Sequence, residues 1–177
     1  MTTEEILKII YQYYPKGLSM DNSNYDKSTE YLNRLKICER ARQNNEEWSN
    51  FKTELNSFCL QEFNQKVFDY SVLGSEPCYC LSVGLDLPNG RVIISILISV
   101  IIPLWLYRII DNDEIRFKEY YDEERKLLDF SANLINKYFS GYQSIKEDQH
   151  QAIVYDIDTV FMSSPTILEA IFKMDLN

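Results

Sequence analysis

The 177-residue chain carries 27 Asp and Glu against 18 Lys and Arg, a net charge of −9, and is 45% hydrophobic and 14% aromatic. This excludes a disordered tail, and the acidic balance argues against direct contact with nucleic acid, whose phosphates need a basic face. The length suits one domain that buries its own core without a metal or disulfide staple, and five Gly and five Pro are too few for a repeat-turn β protein or a glycine-rich phosphate cradle.

The chain opens Met1-Thr2-Thr3-Glu4-Glu5, acidic where a secretory signal is positive. The expectation is a cytoplasmic protein whose Cys38, Cys59, Cys78 and Cys80 are reduced thiols. Thr2-x-x-Glu5 has capping-box spacing, and Ile6, Ile9, Ile10 and Tyr13 mark one helical face that Pro15 and Gly17 stop. After a polar loop over 19–27, a second helix starts near Ser28. Tyr31, Leu35, Cys38 and Ala41 or Arg42 fall at helical spacing, with a break at Asn44-Asn45. The third helix has the widest apolar stripe, Trp48, Phe51, Leu55, Phe58 and Cys59, suited to cover a sheet.

That sheet is expected over 66–110. Residues 67–73 form a first strand and 78–87 a second, in which Tyr79, Leu81, Val83, Leu85 and Leu87 alternate. The turn Pro88-Asn89-Gly90 leads into a third strand over 91–101, and a fourth follows Pro103 over 104–110. The nineteen residues 92–110 hold one charge, Arg108, and are long enough to cross a bilayer. Their β-branched content, Pro103 and the hairpin turn favour strands buried on both faces, so no membrane association is expected.

An acidic connection, 111–119, precedes a helix over about 122–139 with Leu127, Leu128, Leu134, Ile135 and Tyr138 inward and Gly141 as cap. Residues 153–157 read as a last strand. Ser164-Pro165 opens a short terminal helix, Ser164 as N-cap and Pro165 at the first helical position, anchored by Ile167, Leu168 and Ile171. The fold class is therefore α+β. An antiparallel meander of four to five strands carries N-terminal helices and a C-terminal helix in one domain, 1–177, with a helical part (1–65), a sheet (66–110) and an acidic part (111–177).

Candidate chemistry is sparse. The one histidine, His150, sits in the polar stretch KEDQHQ and reads as a solvated loop residue. Cys78 and Cys80 share a strand face and read as core thiols, since zinc sites favour wider spacing on turns. Asp156-x-Asp158 and Asp111-x-Asp113-Glu114 have the pairing of metal ligands or acid–base carboxylates, but twenty-seven acids generate such pairs by chance. No P-loop, dinucleotide fingerprint, nucleophile elbow or zincin motif occurs. A non-enzyme without metal or cofactor is expected, an enzyme using carboxylates or cysteines being the alternative.

Charge patterning is more informative. Fourteen of the acids lie from Asp111 onward, and seven of those fall between Asp111 and Glu124 with only Arg116 and Lys118 as cations. Such a field speeds the encounter with cationic partners. Asp122, Glu123 and Glu124 also occupy a helix's first turn, where the dipole favours anions, so a solvated face plus capping explains part of the cluster. Thirteen Tyr suit either an interface or ordinary core edges. The candidate partner-binding residues are Asp113, Glu114, Glu119, Tyr120, Tyr121, Asp122, Glu123 and Glu124.

Several features together resemble the immunity proteins encoded beside bacterial polymorphic toxins. They are Tyr13-Tyr14-Pro15-x-Gly17 closing the first helix, Tyr25 and Glu30, the helix with Trp48, the hairpin into Val92-Ile93-Ile94-Ser95, and Ser164-Pro165-Thr166. The likeness is one of overall plan across most of the length, and it supplies no catalytic residues. It implies a non-enzymatic protein that binds a cognate toxin domain and blocks its active site, and a basic toxin domain would complement the acidic surface. A regulatory or structural interaction domain with another protein partner is the alternative.

Overall fold

The computed structural model describes residues 1–74, 76–159 and 163–172. Helix α1 (Thr3–Ile10) starts at the predicted capping box: the Thr2 N–H donates to Glu5 Oε2 (2.7 Å), and the Glu5 N–H to Thr2 Oγ1 (3.3 Å). Helix α2 (Thr29–Gln43) is capped by Ser28, and α3 (Glu46–Phe63) ends at Asn64 in the left-handed region (φ 52°). The strands are β1 (Val67–Asp69), β2 (Cys78–Leu87), β3 (Gly90–Ser99), β4 (Leu104–Asp111) and β5 (Glu114–Arg116). Helix α4 (Asp122–Tyr138), strand β6 (Gln143–Ser144), helices α5 (Glu147–His150) and α6 (Ile167–Ile171), and a 3-10 turn before α2 (Tyr25–Lys27) complete the described elements.

The α+β meander holds. Strand order is β1-β2-β3-β4-β5, antiparallel throughout, and β6 pairs in parallel with the start of β4. The long apolar run divides between two cores because successive strand residues face opposite sides. Leu81, Val83, Leu85, Ile94, Ile96, Ile98 and Ile109 pack under α3 and α4 against Trp48, Phe51, Leu55, Leu127 and Ile135. Cys78, Cys80, Leu97, Leu104 and Leu106 face the other way. They meet Ile6 and Ile10 of α1 and Val154, Ile157, Leu168, Ile171 and Phe172 of the C-terminal part. Each fully buried aliphatic side chain contributes roughly 1.5–3 kcal/mol, which is why 92–110 forms sheet. Among the described residues, no helix is long and apolar enough to cross a membrane.

Several boundaries differ from the sequence reading. Strand β1 stops at Asp69 rather than 73; Tyr70 N–H still reaches the Cys80 carbonyl (2.8 Å) before the chain leaves the ladder. The connection 111–119 contains a strand, β5. Residues 153–157 do not form one. Val154 and Ile157 are the buried positions, a spacing of three, and Asp156 adopts φ 61°, so pairing reduces to the isolated bridge Ile153–Thr166. Helix α4 ends at Tyr138 with Phe139 as its C-cap, and Gly141 (φ 86°) turns the chain two residues after that cap. The terminal helix is capped by Thr166 with Glu169, while Ser164 sits at φ 50° outside it.

Candidate functional site

The acidic segment begins as a hairpin. Asp111 pairs with Glu114 across Asn112 (φ 49°) and Asp113 (φ 66°). Two successive left-handed residues make the tight turn that matches strand twist, and Asn and Asp tolerate that conformation best after Gly. The hairpin brings Arg116 on β5 against the first turn of α4. Its guanidinium lies 3.0 Å (Nη1) and 2.5 Å (Nη2) from the two Glu124 carboxylate oxygens. It also donates to the Lys118 carbonyl (2.5 Å) and lies 3.6 Å from Asp111 Oδ2. The Tyr120 ring covers it at 4.4 Å.

Glu124 is fully buried and accepts two further bonds, from the N–H of Tyr120 (2.8 Å) and of Tyr121 (3.3 Å). Burial by itself raises its pKa. The Arg116 fork and the two N–H donors outweigh that and hold the carboxyl below its ordinary value. Glu124 therefore belongs to the interior, contrary to its expected place on the binding surface, because it closes the α4 N-terminus from the third helical position. Glu119 is half-buried, 2.9 Å from the Tyr107 hydroxyl, whose pKa is raised by burial and by that carboxylate. The Tyr121 hydroxyl accepts from Asn89 Nδ2 (2.7 Å).

The eight predicted residues thus separate. Glu119, Tyr121 and Glu124 are tied into the fold. Asp113, Glu114, Asp122 and Glu123 are exposed, as is Tyr120 between them in sequence (64%). Asp122 also meets Arg125 (2.9 Å), an exposed pair of small energetic weight.

The chain matches no protein-family model, curated protein or solved structure.

The remaining candidates fill structural places. His150 is buried, not solvated. It packs edge-on against Phe117 (4.8 Å) and donates a ring N–H to the Ile145 carbonyl, while Nε2 has no hydrogen-bond partner. Burial pulls its pKa below 6.5 although the Ile145 bond, Glu147 and Asp148 oppose this. Cys38, Cys59 and Cys80 are buried with raised pKa values, Cys59 to about 12, the reverse of what a thiolate nucleophile needs. Cys78 is buried and in no disulfide. Asp158 accepts the Met20 N–H (3.3 Å), and bonds led by Ser163 lower its pKa, so it fastens the 19–20 loop to the C-terminal part. Among the described residues, no three His, Cys, Asp or Glu side chains gather as a metal site.

Arg116 was missed as an organising residue. Its only sequence signal was being one of two cations in the acidic run; the capping role of Glu124 was hidden because Tyr121 stands where a capping box has Ser or Thr.

Proposed function

We propose that this chain is a non-enzymatic binding protein that neutralises a cationic partner by covering its active surface. The resemblance drawn from the sequence suggests that the partner is a bacterial toxin domain. The observation that carries the reading is Tyr120. A large amphipathic side chain stands exposed while its ring lies on the Arg116 guanidinium that pairs with Glu124, and four solvent-exposed carboxylates flank it in sequence. An aromatic held stiff before binding loses little entropy on docking, and carboxylates near it steer cationic partners.

The test is co-expression with the product of the adjacent gene, followed by association kinetics at low and high salt. Asp122→Lys with Glu123→Lys should slow association on the order of tenfold at low salt and much less at high salt. Tyr120→Ala should act mainly by speeding dissociation. Association rates unchanged by the charge reversal at every salt concentration would remove this surface from the reading.

A further inference from the structure

The second face of the sheet is covered only in part. Past Cys80 and Leu97 it opens into a concavity of about 560 Å³, within the roughly 300–1,000 Å³ common for small-ligand sites. One wall is the edge segment, where Phe68, Tyr70 and Val72 alternate toward the groove and are 53%, 60% and 54% exposed. Ile93, 43% exposed, lies on β3 within the same groove. This much grouped apolar surface on one concave face marks a binding surface more than a solvated one. The floor is polar at its centre: Ser82 and Ser95, directly paired across β2 and β3, share a hydroxyl–hydroxyl bond of 2.9 Å.

Charge decides the occupant. The charged side chains lining the groove are Arg91, Arg108 and buried Glu76, a formal excess of one positive charge in a chain of net −9. Outside the groove's lining, Asp86 pairs with Arg91 Nη1 at 3.5 Å, and Gln65 Oε1 accepts from Nη2 at 3.5 Å. Both members of the ion pair are more than half exposed, so the pair is weak and the guanidinium keeps donors for a second carboxylate. The floor is shaped for that arginine. A Cβ at Gly84 would stand 2.5 Å from Arg91 Nη2 and 2.7 Å from Nε, so the missing side chain is what lets the guanidinium lie across the strand.

We propose that this groove binds a small amphipathic carboxylate, its head on the Arg91 guanidinium and its apolar body against Phe68, Tyr70, Val72 and Ile93. One anionic head matches the single excess charge, and a planar guanidinium suits a carboxylate.

Decanoate, kept below its micelle threshold, is the probe, with calorimetry and amide chemical-shift mapping on the full chain. It should bind and shift the amides of Ser82, Gly84, Ile93 and Ser95, and decyltrimethylammonium should bind at least roughly tenfold more weakly. Arg91→Gln should weaken decanoate roughly tenfold and leave decanol unchanged. Gly84→Ala should do the same with the charge retained; the added methyl meets only the far end of a flexible side chain, so the fold persists. Asp122→Lys with Glu123→Lys, on the side of the sheet that α4 covers, should leave decanoate affinity unaltered, which separates this site from the protein-docking surface. Absent binding, equal binding of the two head groups, or an Arg91→Gln affinity equal to the parent's would each overturn the proposal.

Discussion

At the scale of single residues, the most consequential group is a carboxylate with no water around it. Glu124 is buried because Arg116 and two backbone N–H groups replace the solvent it loses. Removing one partner of such a pair leaves the other's charge buried, so Glu124→Gln should destabilise by about 3 kcal/mol in urea denaturation at neutral pH. The folded-state pKa lies below the ordinary 4.5, so Glu124's pH-linked contribution is complete above that value and disappears as pH falls through the lowered one. The loss in Glu124→Gln should therefore shrink steadily below pH 4.5. His150 acts a little higher on the scale. Its folded pKa is depressed below 6.5, so the unfolded chain takes up the proton first and stability declines as pH drops below 6.5. His150→Phe, which keeps a ring against Phe117, should flatten the stability profile between 6.5 and the carboxylate range; an unchanged slope there would mean that the imidazole is free to ionise in place.

At the scale of elements, what the sequence disclosed and what it concealed divide along physical lines. Capped or strongly periodic segments were legible: Thr2-x-x-Glu5, Ser28, the Trp48 stripe and the β2–β3 hairpin all stand where they were expected. Elements that depend on unusual backbone or on polar groups turned inward were not. The Asn112-Asp113 turn was hidden inside what looked like pure charge, and so β5 was missed. Helix α2 faces inward through Arg34 as well as Cys38; its guanidinium lies over the Tyr14 (4.4 Å) and Tyr31 (5.1 Å) rings, a cation–π burial that hydrophobic spacing does not reveal. The tyrosine load is partly explained the same way, since the Tyr14, Tyr25 and Tyr79 hydroxyls each donate to a backbone carbonyl from a core edge (2.7, 3.0 and 2.8 Å). The turn offers a direct check: Asp113→Gly relieves a left-handed residue and should raise thermal stability by up to about 1 kcal/mol, whereas Asp113→Val should lower it. Thr166→Ala removes the cap of α6 and should cost about 1 kcal/mol.

At the scale of the whole molecule, two cores lie on opposite sides of one sheet and share its strands. Strand β3 sends Ile94, Ile96 and Ile98 into the core beneath α3 and α4 and Leu97 into the core beneath α1 and α6. Melting either core therefore strips support from a strand on which the other depends, and neither half is expected to persist alone. A single cooperative transition should follow, with Trp48 fluorescence, read in a Trp105→Phe background and reporting the stack on Tyr79 at 4.4 Å, and far-UV circular dichroism giving coincident denaturation curves. Leu55→Ala empties a place in one core and Leu168→Ala a place in the other. Each should shift both curves together, by about 2–5 kcal/mol. If Leu168→Ala instead separated the curves, with Trp48 melting at its parental midpoint, the cores would be energetically independent and the shared strands would not couple them.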